Sequence, residues 1–239
     1  RILSGNTDGR AQVWEALTGQ EVTRVLHDKQ ITTVAFSPDG QWVLSGSEDG
    51  TVRVWEATTG KNIAQIQHEE KISGAIFSPD GKWILSISAD GIAQVWEAAT
   101  GQKIMTKEQV TAAAFSLDGQ WMLAGGSDGI VRIWEITTGS EIVQMLHGGI
   151  VKSVTFSSDG KWVASGSTDG TARVWEVKTG QEIAQMAHEG ADVYIDKVAF
   201  SPDGEWVLSV GGNVDWIFDH GGESTARIWL WQPEDLIDL

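Results

Sequence analysis

At 239 residues, with 41% hydrophobic and 21% charged residues, the chain has the balance of an ordinary globular protein and is long enough to bury a large core. Lys and Arg total 17 against 33 Asp and Glu, so the formal charge of −16 repels a phosphate backbone and argues against nucleic acid as a partner. With no cysteine, disulfides and thiolate metal sites are excluded and a reducing, cytoplasmic setting is expected; neither a long apolar span nor a basic-then-apolar leader points to a membrane.

The chain opens inside a repeat, at a strand b, and its first Trp-acidic ending is Val13-Trp14-Glu15. The next unit is complete. Ile31 to Ser37 alternates β-branched and small residues and is read as strand a, closed by the tight turn Pro38-Asp39-Gly40. Trp42 to Ser47 is strand b, Glu48-Asp49-Gly50 a second turn, and Thr51 to Glu56 strand c. Thr58-Thr59-Gly60 then turns the chain into strand d, Asn62 to Gln67. The Trp-acidic ending recurs at Trp55, Trp96, Trp134 and Trp175 and in a variant at Trp229, giving spacings of 41, 41, 38, 41 and 54. Phe36, Phe77, Phe115, Phe156 and Phe200 each precede by six residues the tryptophans Trp42, Trp83, Trp121, Trp162 and Trp206. Four short strands per roughly 40 residues and no helical period predict an all-β chain of four-stranded antiparallel propeller blades, with an open solenoid as the rival. Neither face of one blade can be covered from within, so stability is expected from aromatic faces sandwiched between neighbours.

The Trp-acidic ending, the inter-strand Asp-Gly and the His before strand a resemble the WD40 repeat family, with Glu in place of the eponymous Asp. The resemblance covers nearly the whole chain. It implies a structural tetrad of hydrogen-bonded His, Ser, Asp and Trp in each blade: His27, Ser45, Asp49 and Trp55; His68, Ser86, Asp90 and Trp96; His147, Ser165, Asp169 and Trp175. The first repeat keeps Ser4, Asp8 and Trp14. In the fourth, Ala124 replaces the Ser and the shortened loop at 107–109 has no His, while Asp128 and Trp134 remain. In the sixth, His188, Ser209 and Trp229 match, and Asp215 or Asp219 would stand in for the turn Asp. About six blades are represented over residues 1–231, followed by a tail at 232–239. The resemblance implies part of a seven-bladed ring, a six-bladed or open arrangement being the alternatives. The near-identical repeats and the tail from Trp229 to Ile237 resemble propellers that follow signalling domains in bacteria, especially cyanobacteria, so a fused signalling domain is a further expectation.

His, Ser and Asp together invite a hydrolase triad, but a catalytic constellation is unique, whereas this one repeats with a Trp partner as a structural network would. The loop histidines fall in different blades without the spacing of a zinc site, the Asp-Gly turns lack alternating oxygen ligands, and the glycines form no phosphate loop. No cofactor, metal or catalytic role is expected.

Violations of the repeat carry more information. The distance from the c-strand Trp to the next Phe landmark is 22 residues in regular units, but 19 before Phe115 and 25 before Phe200. From strand-b Trp to strand-c Trp it is 13 in four repeats, but 23 between Trp206 and Trp229. Alternate turns of a meander emerge at one end, so the d-to-a and b-to-c loops that carry all these changes share a face. Tyr194 with Trp216, Phe218 and His220, bounded by Asp192, Asp215 and Asp219, is the expected site for a protein or peptide. Two rival readings stand beside it: Trp216 and Phe218 only extend strands b and c and pack on a neighbouring blade or a missing partner domain, or the regular loops form several equivalent pockets for a small ligand or glycan.

Overall fold

The computed structural model describes residues 1–188, 193–213 and 225–230. Among them every regular element is a strand, and the strands form four four-stranded and two three-stranded antiparallel sheets. The chain divides into two compact units, Arg1–Gln109 and Val110–Leu239.

In the first unit the leading sheet holds β1 (Ile2–Gly5), β2 (Arg10–Trp14) and β3 (Glu21–Leu26). The second holds β4 (Ile31–Phe36), β5 (Trp42–Ser47), β6 (Thr51–Glu56) and β7 (Asn62–Gln67). The third holds β8 (Ile72–Phe77), β9 (Trp83–Ser88), β10 (Ala93–Glu97) and β11 (Lys103–Lys107). Each sheet is a meander in chain order, which is what tight Asp-Gly turns impose. Strand a ends at Phe36 rather than at the expected Ser37, because Ser37 belongs to the turn. Its hydroxyl donates to Asp39 Oδ1 at 2.6 Å and accepts from the Trp42 amide at 2.9 Å, competing with the ladder. The same Ser-Asp-Trp arrangement closes every a-to-b turn.

The Glu that replaces Asp in the repeat's ending organises the following turn. Thr59 Oγ1 donates to Glu56 Oε2 at 2.6 Å, and Thr100, Thr138 and Thr179 do the same to Glu97, Glu135 and Glu176.

Packing within this unit follows the period of two. Leu44, Val52 and Val54 point from the second sheet toward the third, where Ile72, Ala75, Ile84 and Trp96 cover them. The opposite face presents Ile31, Val43 and Trp55, which pack on Ala11 and Val13 of the first sheet. Close approach depends on Gly46: a Cβ there would lie 2.7 Å from Thr33 Cγ2 and 2.8 Å from Ile72 Cγ2, so the Ile72 side chain occupies the space a larger residue would take. Gly50 is needed for a different reason, since its φ of 81° is left-handed and a Cβ would meet the His68 carbonyl at 2.8 Å.

The second unit repeats the plan. Its first sheet holds β12 (Val110–Phe115), β13 (Trp121–Gly126), β14 (Ile130–Glu135) and β15 (Glu141–Leu146), and its second holds β16 (Val151–Phe156), β17 (Trp162–Ser167), β18 (Thr171–Glu176) and β19 (Glu182–Ala187). The last holds β20 (Val193–Phe200), β21 (Trp206–Asn213) and β22 (Thr225–Leu230). Leu123, Val131 and Ile133 pack on Val151, Val154 and Trp175; Ala164, Ala172 and Val174 pack on Ile195, Val198 and Val207. Gly125 and Gly166 admit Val151 and Ile195 as Gly46 admits Ile72.

Candidate functional site

The His, Ser, Asp and Trp residues singled out from the sequence converge in three sheets. In the second, Trp55 Nε1 donates to Ser45 Oγ at 3.3 Å, and Ser45 Oγ lies 2.8 Å from His27 Nε2. On the other side of the ring, His27 Nδ1 lies 2.8 Å from Thr51 Oγ1, and the Thr51 hydroxyl donates to Asp49 Oδ1 at 2.6 Å. A neutral imidazole carrying its hydrogen on Nδ1 satisfies the whole relay: Trp to Ser to His to Thr to Asp. Thr51 is a fifth member that the sequence reading missed.

The third sheet has Ile92 in the place of Thr51 and fills the gap from the neighbouring strand. There Ser88 Oγ lies 3.0 Å from His68 Nδ1 and donates to Asp90 Oδ1 at 2.6 Å, while Ser86 bridges His68 Nε2 and Trp96 Nε1 at 2.7 and 3.2 Å. In the unit that contains His147, Ser165 sits 2.7 Å from both His147 Nε2 and Trp175 Nε1, and His147 Nδ1 meets Asp169 Oδ2 directly at 3.1 Å. The sixth repeat pairs His188 with Ser209 at 2.8 Å and Trp229 with Ser209 at 3.0 Å. The first keeps the Trp14 to Ser4 bond at 2.8 Å. In the fourth, Ala124 and Gly126 replace both serines, and Asp128 pairs instead with Arg132 at 2.6 Å.

This geometry does not make a nucleophile. Ser45, Ser86 and Ser165 have 0, 0 and 0% of their surface exposed, and each hydroxyl already accepts from an indole, so no substrate carbonyl can reach it. Among the described residues no group of three or more His, Asp or Glu side chains is placed to hold a metal ion.

Burial holds His27, His68, His147 and His188 below the ordinary imidazole range. Burial would raise Asp169, but the Thr171 hydroxyl and the Gly148 and Thr171 amides outweigh it and bring the carboxyl down to about 2. For the histidines the unfolded chain binds protons that the native state resists, so native stability is full above about pH 6.5 and erodes as pH falls below it. A falling Tm below pH 6.5 is the expected result, and His147→Asn should flatten that slope; an unchanged slope would show that the ring's protonation is not coupled to folding. The Asp169 contribution persists to lower pH and is lost as pH falls from about 3.8 through about 2.

The pairings Ile31↔Ser47 and Thr51↔Gln67 bring the start of strand a and the ends of b and d to one end of the sheet. The regular hairpin stops there, but β20 and β21 are eight residues long and continue with Tyr194↔Gly212 and Val193↔Asn213 beyond the equivalent pair Ile195↔Gly211. Tyr194 lies half-buried against Gly212, where a Cβ would stand 3.3 Å from the Tyr194 hydroxyl. Asp192, Asp215, Trp216, Phe218, Asp219 and His220 lie outside the described residues, as does the tail at 232–239.

The family model described as WD40: WD domain, G-beta repeat matches residues 20–56, 60–97, 101–135, 140–176 and 180–229. The chain belongs to the WD40 repeat family. Its sheets are WD40 blades, and the buried relays are their internal ties. The crystal structure of the computationally designed Ika8 protein is 32% identical over an alignment covering 96% of this chain and 67% of that one, with a TM-score of 0.73. No curated protein matches the chain. WD40 domains generally mediate protein–protein interaction and scaffolding and are generally non-catalytic.

Proposed function

We propose that this WD40 chain is a non-catalytic interaction scaffold that binds a protein or peptide at the end of the blades formed by the d-to-a and b-to-c loops. One observation carries the reading: the β20–β21 hairpin extends two residue pairs past the limit kept elsewhere, at the end where the sequence also departs from its period. The added pairs cost ordering entropy and lie at the open end of the hairpin, away from its turn at 201–205, where Tyr194 offers an aromatic anchor. The longer segment 213–224 continues from the same hairpin. We infer a cytoplasmic, signalling role from the absence of cysteine and the resemblance to regulatory propellers.

Replacing residues 213–223 with a short Asp-Gly turn is the test. Partner capture from an extract of the source cells should be lost while Tm and the circular dichroism spectrum stay within error, and Tyr194→Ala should weaken capture about tenfold. Retained capture by both variants would overturn the assignment, and a collapse in Tm would show that the insertion packs rather than binds. Equivalent clefts at regular loops favour the small-ligand reading only at the other end of the blades, where their chemistry differs.

A further inference from the structure

The a-to-b turns, at the opposite end of the blades from the proposed partner face, enclose a recurring cleft. In the first unit it has a volume of about 320 Å³ and is lined by Pro38, Asp39, Trp42, Asp80, Lys82, Trp83 and Glu97. In the second unit the equivalent cleft, about 370 Å³, is lined by Leu117, Asp118, Trp121 and Asp159. Two independently packed units thus build the same combination of an indole wall, an apolar residue and two carboxylates.

Hydrogen-bond supply decides what such a cleft accepts. Ser37 Oγ spends its hydrogen on Asp39 Oδ1 and Ser116 Oγ spends its own on Asp118 Oδ1, both at 2.6 Å, so these hydroxyls are not donors to a ligand. The lining is rich in acceptors; the one cation, Lys82 in the first-unit cleft, is paired to Asp80 at 3.2 Å, and in the second unit Lys161, outside the lining, pairs with Asp159 at 3.4 Å. A sugar needs donors and acceptors in comparable number, while a guanidinium only donates and also stacks on an indole. The protein already uses this chemistry internally. The Arg173 guanidinium lies 5.8 Å from the Trp175 ring centre, with Glu182 at 2.8 Å and Asp169 at 3.4 Å. Where the third sheet has Gln94 instead of that Arg, Lys103 from the adjacent strand lies over the Trp96 ring at 5.7 Å.

We propose that the clefts between successive a-to-b turns bind the guanidinium side chains of an arginine-rich polypeptide, one side chain per cleft. The aliphatic stem covers the indole and the charged head bridges the two aspartates. The formal charge of −16 steers such a partner, and each unit carries a cleft of its own. This site is separate from the partner face proposed above, and neither depends on the other.

The test is a titration of the full chain with fluorescein-labelled octa-arginine, followed by anisotropy and by the indole N–H resonances of the tryptophans. Octa-arginine should bind at least about tenfold more tightly than octa-lysine and shift the resonances of Trp42, Trp83 and Trp121. Asp39→Asn with Asp80→Asn should weaken it about tenfold, while Glu69→Gln with Glu70→Gln, the same charge change at the other end, should leave it within about twofold. Equal affinity for octa-lysine, equal effects of the two double variants, or resonance shifts spread over all tryptophans would overturn the proposal in favour of general charge attraction. Binding of maltoheptaose with the same resonance shifts would overturn it in favour of a glycan site. The resonance pattern of the unaltered chain stands even if an aspartate variant fails to fold.

Discussion

Trp55→Ala is expected to cost about 3–5 kcal/mol of folding stability, the range for deleting a large buried aromatic. Trp55 is 0% exposed, packs with Ala11, Val13, Ile31 and Val43, and donates the indole hydrogen that ties Ser45 to the relay. The alanine variant loses the ring's packing and leaves a buried Ser–His pair without its outer donor, so two costs act together. Domains of this size hold roughly 5–15 kcal/mol in total, and the change should lower Tm by about 6–20 °C. Trp14→Ala is the internal comparison: Trp14 makes the equivalent bond to Ser4 but is only half-buried, so its loss should be clearly smaller. Equal losses in urea titrations would show that the hydrogen bond, and not burial between sheets, sets the energy.

The second large effect comes from a residue with no side chain. Gly46→Val should destabilise by about 1–3 kcal/mol, because even the first added carbon falls 2.7–2.8 Å from Thr33 and Ile72 methyls and the sheets must separate to admit it. Since the φ of Gly46 is not left-handed, the penalty is packing and not backbone strain. A double-mutant cycle isolates the cause: Gly46→Ala should cost less in an Ile72→Ala background, where one of the two opposing methyls is gone. Additive costs would place the strain elsewhere.

The strands were legible in the sequence because turn chemistry and the period of two agree in every repeat. Asp39-Gly40 and Asp49-Gly50 punctuate the same alternation that sends Leu44 to one face and Val43 to the other, so a frame-shifted reading would bury polar residues. Ser37 escaped because the same residue type favours both a strand end and a turn, and only its bond to Asp39 separates the two. The relay was half legible. His27, Ser45, Asp49 and Trp55 recur at fixed offsets, but the link between His and Asp passes through Thr51 in one sheet and Ser88 in the next, positions on different strands that no single offset captures. The exchange of Thr51 for Ile92 was the available signal, since it leaves an imidazole nitrogen needing a partner that Ser88 supplies. The role of Gly46 was hidden for another reason: its neighbour Ile72 is 26 positions away, and close approach is a tertiary property that a strand glycine only hints at.

The proposed partner site rests on a departure from a rule. A repeat sets a common length for each hairpin, so the extra pairs at Tyr194 and Val193 stand out as ones that the other repeats lack. The clefts lined by Trp42 and Trp121 were harder to see, because each is made by turns from two successive repeats and no single repeat contains one.

Hydroxyl-radical footprinting of the chain with and without its captured partner addresses the proposed function most directly. Protection should concentrate at Tyr194 and the peptide spanning 213–224, with the a-to-b turns at Trp42, Trp83, Trp121 and Trp162 unchanged. Protection confined to those turns, with Tyr194 as reactive as in the free protein, would contradict the assignment and move the partner to the other end of the blades.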